Sequence, residues 1–302
     1  MNIEKVFFEA TDGMELVGLL HKGDVITNKI IISIHGMTSN CLKQRDDVIA
    51  QTVTKENVDF FCFNNRGNGI FNYSSKNING EYKKQIVGTA FEDVEESYFD
   101  ICGAILEMKK RGYENIYLQG HSLGCTKVVY THERLRKENN ELIKNIKAII
   151  LLSLVDIPKA QKVFLREKYD EVMNIALGNE KQGKLYELMP RYSFIHPIST
   201  RTYLRYFRDY ENIDFARYYD EEYEYPELNN IKAPLFMRWG NVYEMIEQDA
   251  KDLVQMLNTK IKNNIKDTNY IDGADHGYTD KYDILAQEIL NFIINNADNT
   301  CI

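Results

Sequence analysis

A chain of 302 residues, 44% hydrophobic and 27% charged, is long enough for one large α/β domain or for a core carrying an inserted subdomain. Its net charge of -8 argues against binding a nucleic-acid backbone, which requires a basic patch. No run approaches the roughly 18 consecutive apolar residues that read as a membrane span, so stable membrane insertion is not expected. The cysteines (Cys41, Cys62, Cys102, Cys125, Cys301) are scattered without Cys-x-x-Cys spacing, and no apolar leader precedes a small-residue cleavage site. Together these predict a cytoplasmic protein with reduced thiols, no disulfide framework and no zinc site.

Residues 3–9 and 14–20 read as two strands turning at Thr11-Asp12-Gly13. Ile30-Ile31-Ile32-Ser33-Ile34 is a nearly unbroken β-branched run, suited to a strand covered on both faces. It ends in the polar loop His35-Gly36-Met37-Thr38-Ser39-Asn40, ahead of a helix through about Thr54. The next strand, 58–63, runs into Asn64-Asn65-Arg66-Gly67-Asn68-Gly69. Thr89-Ala90-Phe91-Glu92 has the form of a capping box and predicts a helix from Thr89, with Val94, Tyr98, Ile101, Ile105 and Met108 as its apolar stripe. A strand over 115–119, a helix over 125–135 and a buried strand over 148–152 follow.

After Asp156 the alternation stops. Residues 157–230 give helical stripes without strands, tyrosines are dense between Tyr186 and Tyr225, and Arg191, Arg201, Arg205, Arg208 and Arg217 recur. A strand returns at 233–240, followed by a helix over about 244–261, a strand near 268–271, the loop 272–277 and a last helix over about 282–294. Alternating strands and helices predict an α/β fold, a mostly parallel sheet of about eight strands with helices on both faces. Its core comprises 1–156 and 231–302, and 157–230 is a helical insertion late in the sheet.

Gly120-His121-Ser122-Leu123-Gly124 lies between the 115–119 strand and the next helix. A Gly-x-Ser-x-Gly pentapeptide in that context is a nucleophile elbow, where a sharp reversal lifts the serine above the sheet and flanking glycines leave room for it. A serine hydroxyl needs a base within hydrogen-bond reach. His276, in Asp275-His276-Gly277 just before the final helix, is the candidate. His121 reads as a packing residue pointing away from the nucleophile, and His21 and His132 as surface positions. His196, before Pro197, is a minor candidate for reaching substrate. For the acid that orients the imidazole, Glu244 is favoured, Asp156 is the rival, and Asp249 is a third possibility too far into its helix. Oxyanion donors would be the backbone N–H groups of Met37 and Leu123.

With Ser122, an acid and His276 in that order, the sequence resembles the α/β-hydrolase superfamily of serine esterases and lipases. His35-Gly36-Met37 looks like its oxyanion loop, Asn65-Arg66-Gly67-Asn68-Gly69 like its Asp-x-Arg-Gly-x-Gly loop, with Asn64 where Asp is common, and 120–124 like its elbow. Ile198-Ser199-Thr200-Arg201-Thr202-Tyr203 and Gly273-Ala274-Asp275-His276-Gly277 are similar to the siderophore-esterase-like branch. The resemblance puts Tyr243 where the acid usually stands, with Glu244 one residue later. It implies a cofactor-free, metal-free serine hydrolase acting on a small-molecule carboxylic ester through an acyl-enzyme on Ser122, with 157–230 as a cap shaping the substrate pocket. A thioesterase or acyltransferase with the same triad, and a binding protein with a vestigial triad, are the alternatives. The cap's arginines would either meet a carboxylate-bearing substrate or pair with the acids of 220–224, its tyrosines forming an amphipathic core.

Overall fold

The computed structural model describes residues 1–209 and 213–296; Cys301 lies outside them, as do positions 210–212 of the insertion. In chain order the strands and α-helices are β1 (Asn2–Glu9), β2 (Glu15–Lys22), β3 (Lys29–Ile34), α1 (Gln44–Val53), β4 (Asp59–Asn64), β5 (Asn72–Ile78), β6 (Glu81–Val87), α2 (Ser97–Lys110), β7 (Asn115–His121), α3 (Leu123–Lys137) and β8 (Ile146–Leu152). Then come α4 (Ile157–Leu165), α5 (Tyr169–Lys181), α6 (Thr200–Phe207), α7 (Pro226–Asn229), β9 (Leu235–Gly240), α8 (Ala250–Lys260), β10 (Lys266–Ile271) and α9 (Tyr282–Asn296).

Eight strands form one sheet in the order β1-β2-β4-β3-β7-β8-β9-β10. β1 and β2 are antiparallel to their neighbours, and from β4 to β10 all pairings are parallel. The isoleucines of β3 explain why it is central. Ile30, Ile32 and Ile34 enter a core shared with α2, α3 and α8, while Ile31 enters the opposite core, shared with α1 and α9. Burying each such side chain contributes about 1.5–3 kcal/mol, so a strand apolar on both faces is stable only between two helical layers. Because β3, β7, β8, β9 and β10 are parallel, the loops leaving their C-terminal ends gather along one edge of the sheet. In open α/β sheets that edge is where ligands bind.

Several expectations need correcting. The stretch after Gly69 holds a two-stranded antiparallel hairpin, β5–β6, which turns at Asn79-Gly80, both at positive φ. Its strands are polar and mostly exposed, so no apolar alternation marked them, although Asn-Gly is the strongest short hairpin signal. Thr89 opens only a single 3-10 turn, Thr89–Phe91, and not the α-helix. Its Oγ1 accepts from the Thr38 N–H and donates to the Gly67 carbonyl, Glu92 pairs with buried Lys127, and α2 starts at Ser97. Tertiary partners have claimed both ends of the supposed capping box. His21 and His132 are buried, not on the surface, and burial lowers the pKa of each, that of His132 to about 4.

Between β8 and β9, Tyr203, Tyr206 and Tyr225 are fully buried. Among the described residues the arginines there pair with acids other than those of 220–224. Arg201 meets Asp93 at 2.6 Å, Arg208 meets Glu180 at 2.7 Å and Arg217 meets Asp214 at 3.3 Å. Cys41, Cys62, Cys102 and Cys125 are buried free thiols. Among the described residues no helix is long and apolar enough to cross a membrane.

Candidate active site

The turn from β7 into α3 puts Ser122 at φ 56° and ψ -127°, a strained conformation for a residue with a side chain. Its backbone is held from both sides: Ser122 N–H donates to the Leu152 carbonyl of β8, and Cys125 N–H donates to the Ser122 carbonyl, each at 2.8 Å. The glycines are sterically required. A Cβ on Gly120 would overlap the Gly124 carbonyl, and one on Gly124 would overlap the Ile34 carbonyl at the end of β3.

The loop after β3 lies directly against this turn. A Cβ on Gly36 would stand 3.0 Å from the Ser122 Cβ and 3.4 Å from the Leu123 nitrogen. His35 fixes the loop from below. Its Nε2 accepts from the Asn65 N–H at 3.2 Å, which leaves Nδ1 to donate to the Gly36 carbonyl at 2.9 Å. That neutral tautomer is enforced by burial, reinforced by the nearby Lys127 charge, which lowers the His35 pKa to about 3. Among the described residues neither Met37 N–H nor Leu123 N–H has an acceptor. Leu123 is the first residue of α3, where helical N–H groups lack intrahelical partners.

His276 Nδ1 pairs with Glu244 Oε1. Glu244 sits in the loop after β9, not at a helix start as its sequence position implied, since α8 begins only at Ala250. Tyr243, in the position where an acid was expected, is 91% exposed and has a left-handed φ of 52°. After that reversal the Glu244 side chain points inward, to His276. The Glu244 side chain is only 3% exposed. Its Oε2 accepts from Ser153 Oγ at 2.8 Å and Gly240 N–H at 3.0 Å, and Oε1 also accepts from Met245 N–H at 3.0 Å. Burial pushes the carboxyl pKa up, but the His276 contact and these donors outweigh it and hold it below the usual range.

The other two candidate acids each cap a helix. Asp156 caps α4 through Lys159 N–H at 3.0 Å, and burial raises its pKa to about 7. Asp249 caps α8 through Lys251 N–H at 2.8 Å. His196 is buried, with its Nδ1 on the Pro197 carbonyl at 2.9 Å. Two further residues belong to the site, and the sequence reading did not assign them. Ser153, at φ 53° directly after β8, supports Glu244, and a serine closing an apolar strand was the available signal. His121, read as pointing away into packing, has its Nε2 2.7 Å from the His276 carbonyl oxygen.

Ser122 and His276 line two chambers at once. One, of 280 Å³, is apolar and runs under the segment between β8 and β9, with Val155, Ile157, Phe164, Phe194 and Phe207 in its walls. The other, of 350 Å³, is polar and includes Lys43, Arg45, His121 and Tyr282. Among the described residues no cluster of three or more His, Cys, Asp or Glu is placed to hold a metal ion.

No protein-family model and no curated protein sequence matches this chain. Solved structures do. DcsB in complex with its substrate analogue superposes with a TM-score of 0.69 at 13% identity, over 98% of this chain and 99% of that one. The α/β hydrolase GrgF from Penicillium sp. sh18 gives 0.64 at 15% identity, over 98% and 100%. Est1E from Butyrivibrio proteoclasticus with ferulic acid bound gives 0.63 at 16% identity, over 97% and 99%. With its eight-stranded, mostly parallel sheet and full-length likeness to such structures, the chain has the α/β-hydrolase fold.

Proposed function

We propose that the protein is a serine hydrolase that cleaves a small-molecule carboxylic ester through an acyl-enzyme on Ser122. The observation that carries this reading is the pairing of His276 with buried Glu244 beside a serine in a strained, glycine-flanked turn. Glu244 holds Nδ1 protonated, leaving Nε2 as the acceptor for the Ser122 proton. Ser122 Oγ attacks the carbonyl carbon, and the oxyanion forms against the free N–H groups of Met37 and Leu123. His276 then gives its proton to the leaving oxygen, and water repeats the sequence to release the acid. Among the described residues no hydrogen bond to Ser122 Oγ is present; such contacts commonly tighten only when substrate is bound.

The helices of 157–230 act as the cap. The apolar chamber beneath them lies near the lower end of the roughly 300–1,000 Å³ typical of ligand pockets, which suits a short or aromatic acyl group. Est1E, similar in fold, was solved with an aromatic acid of this kind.

Labelling by a fluorophosphonate probe, in wild type and in Ser122→Ala, tests the reading. Labelling confined to the wild type supports it. A native wild-type protein that takes no label leaves only the binding-protein alternative.

A further inference from the structure

We infer that the polar chamber beside Ser122 recognises an anionic leaving group, a carboxylate-bearing alcohol or phenol, while the acyl group occupies the apolar chamber. This rests on the hydrolase reading above. The two chambers meet at Ser122 and His276 but differ in their other walls. Leu123, one of the two oxyanion donors, lines only the apolar one, which places the acyl side there. Gly277, Lys43 and Arg45 line only the polar one, which they share with His276, the imidazole that must protonate the leaving oxygen.

The chemistry of that wall favours an anion. Arg45 is only 5% exposed, and its Nε and Nη2 are both committed to Asp46 Oδ1, at 3.1 and 3.0 Å. Its Nη1 has no partner among the described residues, and Arg45 lines the chamber, so the guanidinium keeps a donor that an anion there can use. Asp46 offsets the Arg45 charge, and Lys43, exposed and without an acidic partner among the described residues, supplies the net positive charge. Lys43 also stands at the N-cap of α1 without capping it, so the positive end of that helix adds to the field. The field reaches the neighbouring imidazole: burial first, then Arg45, His276 and Lys43 lower the His121 pKa. The arginines of 201–217 were the sequence-level candidates for a carboxylate, but Arg201, Arg208 and Arg217 are engaged with acids elsewhere.

The test compares para-carboxyphenyl butyrate with its near-isosteric neutral analogue para-carbamoylphenyl butyrate, and includes phenyl hydrogen succinate, whose charge is on the acyl side. The expected wild-type ratio of kcat/KM, carboxy over carbamoyl, is about tenfold at low salt and shrinks as salt screens it, the scale of one charge-assisted hydrogen bond. Lys43→Gln should bring the ratio close to one and Lys43→Arg should keep it. The double variant Arg45→Gln with Asp46→Asn, which leaves no unpaired buried charge, should also lower it. A wild-type ratio near one, a ratio unmoved by Lys43→Gln, or a preference for the succinate overturns the inference while leaving ester hydrolysis intact. Absence of both hydrolysis and Ser122 labelling overturns instead the reading on which it rests.

Discussion

His121 Nε2 lies 2.7 Å from the backbone carbonyl oxygen of His276, so the residue preceding the candidate nucleophile holds the loop that carries the candidate base. The contact is a donated N–H bond from a neutral ring, because burial and the nearby Arg45 push the His121 pKa well down. Replacing His121 with Ala frees the His276 loop without removing any reacting group. Misplacing a catalytic group by about 1 Å costs on the order of a hundredfold, so His121→Ala should lower kcat by about ten- to a hundredfold and leave KM nearly unchanged. The phosphonate labelling rate should drop in parallel. Unchanged kcat would show that the His276 loop holds its place without this bond.

The acid can be assigned by comparing Glu244→Gln with Asp156→Asn. Removing the carboxylate that pairs with the base in a serine triad costs about ten-thousandfold in kcat, and Glu244→Gln should approach that loss. Asp156→Asn should turn over substrate near the wild-type rate, because an Asn oxygen can still cap Lys159 N–H. Near-normal turnover by Glu244→Gln, with collapse in Asp156→Asn, would reverse the assignment.

Asp156 also gives a pH signature in stability. Burial raises its pKa to about 7 from an ordinary value near 3.8. Between those values the folded protein holds a proton that the unfolded chain has released. Its stabilising contribution is therefore complete below about pH 4 and is lost as pH rises through about 7. Asp156→Asn carries no such proton. Its urea midpoint should thus gain on wild type from pH 5 to pH 8, at no more than about 1.4 kcal/mol per pH unit. A difference that does not vary with pH would mean that Asp156 is ionised throughout.

How much of this was legible beforehand depended on whether local sequence or tertiary contact decides each feature. Ile30–Ile32 and the elbow glycines announce themselves, since a doubly buried strand and a strained turn each demand particular residue types locally. Ser122 and His276 follow from the same reasoning. Glu244 was reachable only as one of three carboxylates, because its inward direction is set by the left-handed backbone at Tyr243, and nothing in a tyrosine signals that. Thr89 and Glu92 misled because their side chains satisfy a helix-start pattern and a set of distant partners equally well. The β5–β6 hairpin was missed because polar strands lack periodicity. Buried His21 and His132 were missed because an isolated histidine carries no burial signal.

The elbow's geometry makes a steric prediction. Since a Cβ on Gly124 would overlap the Ile34 carbonyl, and both groups belong to packed backbone, neither can give way cheaply. Gly124→Ala should therefore destabilise by about 3 kcal/mol or more, at the upper end of overpacking costs, visible as a lower urea midpoint. Folded protein recovered at low temperature should label slowly, because relief of the overlap must move Leu123 or β3. Wild-type stability in this variant would show that the turn is looser than described.

Glu92 links three parts of the molecule that have to stay in register around the site. It pairs with Lys127 on α3 and accepts from Tyr206 on α6, while Lys127 also donates at 3.1 Å to the side-chain Oδ1 of Asn65, the residue whose backbone N–H holds His35. Lys127 and Glu92 are both fully buried. Breaking such a pair from one side leaves an uncompensated buried charge and costs about 3–5 kcal/mol, whereas replacing both partners with apolar residues is often close to neutral. Lys127→Met should therefore be strongly destabilised, and the double variant Lys127→Met with Glu92→Leu should recover most of that loss. If the pair also keeps α6 aligned over the apolar chamber, the recovered double variant should still show a raised KM, because Tyr206 has lost its acceptor. Recovery of stability and KM together would confine the pair to a structural role. Failure to recover stability would mean that the hydrogen bonds to Tyr206 and Asn65, more than the ion pair, hold these elements together.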